Sequence, residues 1–223
     1  MQKIKSKLNF PKSELAVDQS RSQALQDLFV LTALSGLQGG YFVEIGASDA
    51  RNLSNTYLLE KFFEWKGTSF DLSLGSFASF KKNRRSAKFV LGDATKLDFE
   101  KILKKNRSPH LIDYLSIDIE PMQNTLKALK QIPFSEYRFK VITYETDFYD
   151  PSVPRHEAEK VRSESRKILS THGYRLIVGD VCLVPGQPFE DWWIDGSFFD
   201  ETWIKLLESQ LGAHEVPAKM FFE

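Results

Sequence analysis

Short runs rich in β-branched and aromatic residues alternate with helical stretches along this chain, and that alternation limits its fold more than any other feature. Residues 41–46, 68–71, 88–91, 112–117 and 139–144 read as strands. Residues 19–35, 52–63, 75–85, 97–105, 122–131 and 155–172 read as helices. In the first of these, Leu25, Leu28, Phe29, Thr32 and Ala33 fall at helical spacing, and Gly36 stops the run. The last ends at His172-Gly173. Two further runs, 174–178 and 180–184, flank Gly179-Asp180, a hairpin-type turn. Parallel strands need crossover helices, and right-handed crossovers wind a sheet with helices on both faces. The expected fold is therefore a doubly wound α/β sheet closed by a hairpin.

With 223 residues, no repeat and no Gly-, Ser- or Pro-rich linker, the chain reads as a single domain. Residues 38–185 form its core, with a helical extension at 1–37 and a second extension at 186–223. Hydrophobic residues at 42% are enough to offset the ordering entropy, which excludes a disordered chain. Thirty basic against thirty acidic residues leave no net charge, so binding nucleic acid by bulk electrostatics is not expected. The basic clusters 81–85 and 101–107 fall on helices and read as solvated faces. One cysteine, Cys182, excludes a disulfide framework and a Cys-based zinc cluster. No apolar run approaches the ~18 residues of a membrane span. Lys3, Lys5 and Lys7 are followed by Asn9-Phe10-Pro11 rather than by the apolar segment of a signal peptide. A soluble, cytoplasmic protein without a membrane span is expected.

In open α/β sheets, ligands bind beyond the carboxyl ends of the strands. All five strand ends here carry an acid. Glu44 closes the first strand and is followed by Gly46-Ala47-Ser48, where a glycine permits close backbone approach or simply a tight turn. A dinucleotide fingerprint would need three spaced glycines, and only Gly46 is present. Asp71 ends the second strand, placed either to accept a ribose diol or, with Ser73, to cap the next helix. Gly92-Asp93-Ala94 closes the third strand. Asp118 and Glu120 follow the fourth, and Glu145 and Asp147 the fifth. Four acids at neighbouring strand ends suit a general base, a magnesium ion, a clamp on sugar hydroxyls, or plain solvated loops.

Several stretches together resemble the FkbM family of S-adenosylmethionine-dependent methyltransferases. They are residues 22–27 (SQALQD), 39–47 (GGYFVEIGA), 53–60 (LSNTYLLE), 64–67 (EWKG), 114–120 (YLSIDIE) and 142–145 (ITYE). The resemblance covers roughly residues 20–185. It implies the class I methyltransferase fold: a Rossmann-like three-layer sandwich with a seven-stranded, mainly parallel sheet and a carboxyl-terminal antiparallel hairpin. It also implies methyl transfer from S-adenosylmethionine to oxygen, on a sugar, a glycan or a polyketide-type natural product. Carried onto this sequence, Glu44, Gly46, Ala47 and Ser48 would line the methionine end of the cofactor, with Asn55 nearby. Asp71 and Leu72 would hold the ribose, and Asp93 and Ala94 would face the adenine. Asp118, which also borders the cofactor, and Glu145 would border the acceptor, with Gln26 and Asp27 closing the site.

The chain departs from the family pattern at Leu25 and Ala50, where glycine is usual. It departs again at Asp71-Leu72 in place of Glu-Pro, at residues 118–123, and at Thr146-Asp147. An alcohol is a poor nucleophile, so a base or metal should take its proton. Asp118, Glu145 and His156 are the candidate bases; His156 follows a loop over the fifth strand and reads equally as a surface residue. Asp118, Glu120 and Glu145 are candidate magnesium ligands. Glu120, Asp147 and Trp192 are candidate acceptor contacts, the last as part of a wall with Asp191, Trp193 and Asp195 or else as core. The alternatives are a non-catalytic S-adenosylmethionine-binding module, a nicotinamide oxidoreductase and an RNA methyltransferase.

Overall fold

In the strand Tyr41–Ile45 (β1), Phe42 and Glu44 alternate with Val43 and Ile45, and all four are buried. Burial on both faces is what a central strand of a parallel sheet requires, because helices cover each side. The computed structural model describes residues 8–83, 86–211 and 216–222. Its other strands are β2 (Lys66–Asp71), β3 (Lys88–Leu91), β4 (Leu111–Ile117), β5 (Arg138–Glu145), β6 (Tyr174–Cys182) and β7 (Pro188–Asp195). They form one seven-stranded sheet in the order β3-β2-β1-β4-β5-β7-β6. β1 to β5 are parallel, and β7 runs antiparallel to both β5 and β6. This is the class I methyltransferase arrangement, as expected. Residues 1–7, which include Lys3, Lys5 and Lys7, lie outside the described residues, as do Arg84 and Arg85 of the first basic cluster.

Two helical layers enclose the sheet. On one face lie α1 (Ser13–Gln19), α2 (Gln26–Ala33), α3 (Tyr57–Phe62), α8 (Glu201–Gln210) and α9 (Pro217–Phe222), packed with Phe42, Tyr114, Val141, Trp192 and Ile194. On the other lie α5 (Phe99–Lys105), α6 (Met122–Leu129) and α7 (Arg155–Thr171), packed with Val43, Leu115, Ile142 and Trp193. Consecutive residues of one strand thus feed opposite cores, the two-residue period of a pleated strand. Each large side chain so buried contributes about 1.5–3 kcal/mol. α4 (Leu74–Asn83) lies beside β3 and contributes Phe80 to a small third cluster. Among the described residues no helix is long and apolar enough to cross a membrane.

Three local expectations are corrected. The helix read over 19–35 is shorter: α1 ends at Gln19, and Leu25, in a left-handed conformation (φ 59°), caps α2, which starts only at Gln26. The helix read from 52 begins only at Tyr57, because residues 48–55 form an irregular loop with Ser48 and Leu53 at positive φ. The hairpin does not turn at Gly179-Asp180. β6 runs through that pair with a shifted register, and the turn comes at 183–187. The Asp180 carboxylate is occupied instead by Arg162 and Arg166, at 2.7 and 2.8 Å. The returning strand β7 comes from the segment expected as an extension, so the sheet continues to Asp195.

Candidate functional site

The tips of the parallel strands are tied together by main-chain bonds. The amides of Gly46 and Ala47 both donate to the Phe70 carbonyl (3.0 and 3.1 Å), and the Asp118 amide donates to that of Ile45 (2.9 Å). Beyond these tips the loops enclose a cavity of about 450 Å³. Each of the five strand ends contributes to it: Gly46 to Ser48, Asp71 and Leu72, Asp93 and Ala94, Asp118 to Glu120, and Glu145. Glu44 and Asn55 complete the wall between β1 and β4. All ten residues expected to bind a cofactor therefore line one cavity.

On the β1–β3 side, the acids are satisfied by the protein. Glu44 is buried and accepts from Thr56 Oγ1 (2.9 Å) and Ser69 Oγ (2.8 Å). Asp71 accepts the Ser48 amide on Oδ2 and the Ser73 amide on Oδ1, both at 2.8 Å. Asp93 faces Lys96 at 2.8 Å and accepts from the amide and hydroxyl of Thr95. Lys96 and then Thr95 hold its carboxyl well below the usual carboxylate range. Asn55 donates through Nδ2 to Ser116 Oγ (3.0 Å), which leaves Oδ1 buried with no donor.

The β4–β5 side differs. Burial raises the Asp118 and Glu145 carboxyls above their usual range, and the two lie close enough to share a proton. Glu145 Oε2 is enclosed, with no N–H or hydroxyl reaching it. Burial, followed by the charge of Asp118, pushes the neighbouring Asp147 up to about 6. Directly across the strand pair from Glu145 stands Glu190. It is buried, accepts from Gln26 Nε2 (3.2 Å) and Trp192 Nε1, and is pushed up to about 8 chiefly by burial. Among the described residues no group of three or more His, Cys, Asp or Glu is arranged to hold a metal ion.

Five expected residues lie off the cavity wall. His156 is exposed in the first turn of α7. Asp27 is fully buried and ties the α1–α2 turn together, accepting from Ser20 Oγ, Ser22 Oγ and the Leu28 amide at 2.7, 2.6 and 2.9 Å. Gln26 braces Glu190. Trp192 is core, stacked on Phe29 at 4.6 Å, while Asp191 and Asp195 bind Arg166 and Arg138. Asp147 hydrogen-bonds the Glu145 carboxyl and does not line the cavity. The wall residues that had not been singled out include Gln23, Leu53, Asn124 and Tyr149. Asn124 and Tyr149 follow the fourth and fifth strand ends closely enough for the strand-end rule to reach them. Gln23 has no local signal; a bridge between Ser22 and Leu53 carries it there.

No protein-family model matches the chain, and no curated protein matches it in sequence. Solved structures do match in fold. A Staphylococcus aureus protein assigned as a caffeoyl-CoA O-methyltransferase is similar with a TM-score of 0.53 and 14% identity, over 77% of this chain and 82% of that one. A Clostridium thermocellum protein assigned as an rRNA methylase gives a TM-score of 0.52 and 12% identity, over 71% and 87%. A SAM-dependent methyltransferase from Aquifex aeolicus gives a TM-score of 0.50 and 14% identity, over 84% and 100%.

Proposed function

We propose that this chain is an S-adenosylmethionine-dependent O-methyltransferase of the FkbM type, acting on a hydroxyl of a sugar or glycan. The observation that carries the reading is the charge of the cavity. Six acidic side chains line it (Glu44, Asp71, Asp93, Asp118, Glu120 and Glu145), and no Lys, Arg or His does so among the described residues. Such a wall repels the pyrophosphate of a nicotinamide dinucleotide and favours a cation. S-adenosylmethionine is a cation, and the shared fold has the strand-end cavity where nucleoside ligands bind.

The residues present fit that cofactor. Asn55 Oδ1 lacks a donor, which an amino group would supply. The Asp71 oxygens keep acceptor capacity for two ribose hydroxyls. Asp93 and Ala94 stand at the adenine end, and Glu44, Gly46, Ala47 and Ser48 at the methionine end. When bound, the cofactor supplies a methyl group on a positively charged sulfur. The protein aligns the acceptor oxygen with it and excludes water. Asp118 and Glu145 take the hydroxyl proton; a cation beside them favours their ionised form.

Calorimetric titration with S-adenosylhomocysteine tests this reading. Binding to the intact protein, weakened by Asp71→Ala, is expected. An intact protein that does not bind would end the enzyme reading while leaving the fold unchanged.

A further inference from the structure

The acids of the cavity fall into two sets. Glu44, Asp71 and Asp93 accept hydrogen bonds from N–H or O–H groups of the protein. Asp118, Glu145 and Asp147 hydrogen-bond with one another, and among the described residues no N–H group, hydroxyl or basic side chain bonds the side chains of these three or of Glu120. The latter set lies wholly on the β4–β5 side, away from the expected ribose and adenine positions. A second observation is independent of this count of acids. Glu145 is 5% exposed, lines the cavity, and has an enclosed Oε2 that awaits a donor. Beside it Tyr149 is 41% exposed, with its ring tilted against Phe189 at 6.2 Å. An exposed ring next to acids that have no cationic partner attracts an ammonium group through the ring quadrupole as well as through charge.

We infer that the acceptor is an amine-bearing saccharide, with its ammonium held by Glu120 and Glu145 against the Tyr149 ring and a hydroxyl turned toward the cofactor. This rests on the methyltransferase reading. A neutral polyol would bring no cation to these acids, and a phosphorylated or nucleotide-linked sugar would be repelled. The same carboxylates keep the amine protonated, so its nitrogen has no lone pair to attack with. The hydroxyl is then the methylated group. Its oxygen gains the methyl, and its proton passes to the Asp118–Glu145 pair.

Glucosamine, N-acetylglucosamine and glucose, titrated by NMR into the protein saturated with S-adenosylhomocysteine, test the inference. Glucosamine should bind roughly tenfold tighter than the other two, and Glu120→Gln and Tyr149→Ala should each erase most of that margin. Both sites are at the surface, and the S-adenosylhomocysteine titration shows whether each variant retains its fold. Equal affinity for the three sugars, no binding of any, or displacement of glucosamine by magnesium would overturn the inference with the methyltransferase reading intact. Failure of S-adenosylhomocysteine to bind would overturn both.

Discussion

A Cβ built on Gly46 would lie 1.6 Å from the main-chain oxygen of Asp118. The tips of β1 and β4 therefore approach more closely than any side chain at residue 46 allows, and Gly46 also has φ at 91°. That contact forms the cavity floor.

Gly46→Ala should force the two tips apart. The clash is with backbone, so relaxation is costly, at about 2 kcal/mol or more. In a domain of this size that is a fall of roughly 4–8 °C in Tm. Affinity for S-adenosylhomocysteine should drop with it. A variant with unchanged melting and binding would show that the floor is not built this way.

Asn55→Leu removes the buried acceptor but keeps the bulk. Binding of S-adenosylhomocysteine should weaken about tenfold, a loss of ~1.4 kcal/mol. Binding of 5′-methylthioadenosine, which lacks the amino-acid end, should not change. Equal losses for the two ligands would place Asn55 elsewhere on the cofactor.

Asp118→Asn and Glu145→Gln should each cut turnover by about 10²–10⁴. Because these two carboxyls bond each other rather than the residues that line the cofactor end, S-adenosylhomocysteine affinity should stay within roughly threefold. Near-normal turnover in both variants would remove the pair from the chemistry.

Glu190 makes stability pH-dependent. Its folded pKa, about 8, lies above the ordinary 4.5, so the native state holds this proton more tightly than the unfolded chain. The resulting stabilisation is present below about pH 4.5 and is lost as pH rises through 8. Melting at pH 5 and pH 8 should show that fall in the intact protein and a smaller one in Glu190→Gln. Parallel slopes would contradict the burial of Glu190 as an acid held by Gln26 and Trp192.

The cavity wall was largely legible because its rule is local. A residue that follows a parallel strand sits at the carboxyl rim whatever the rest of the chain does, which is how Gly46, Asp71, Asp93 and Asp118 were found. Side chains further from the strand ends obey no such rule. Gln26, Asp27 and Trp192 are polar or aromatic in a manner that suits a ligand, yet a buried turn and a packed sheet face use the same chemistry. Leu25 hid the late start of α2, because helical spacing continues through it while its backbone turns left-handed.

Strand and helix alternation, the acid at each strand end and the glycine after β1 follow from residue order alone, since each depends on a two-residue or 3.6-residue period or on a missing side chain. Which strand returns between β5 and β6, which acids find donors elsewhere in the protein and which find only one another depend on contacts between residues far apart in the chain. Glu190 faces Glu145 only because β7 inserts beside β5, and Asp180 is neutralised only because α7 brings Arg162 and Arg166 across it. Long-range packing decided the charge on each side of the cavity, and no local pattern encodes it.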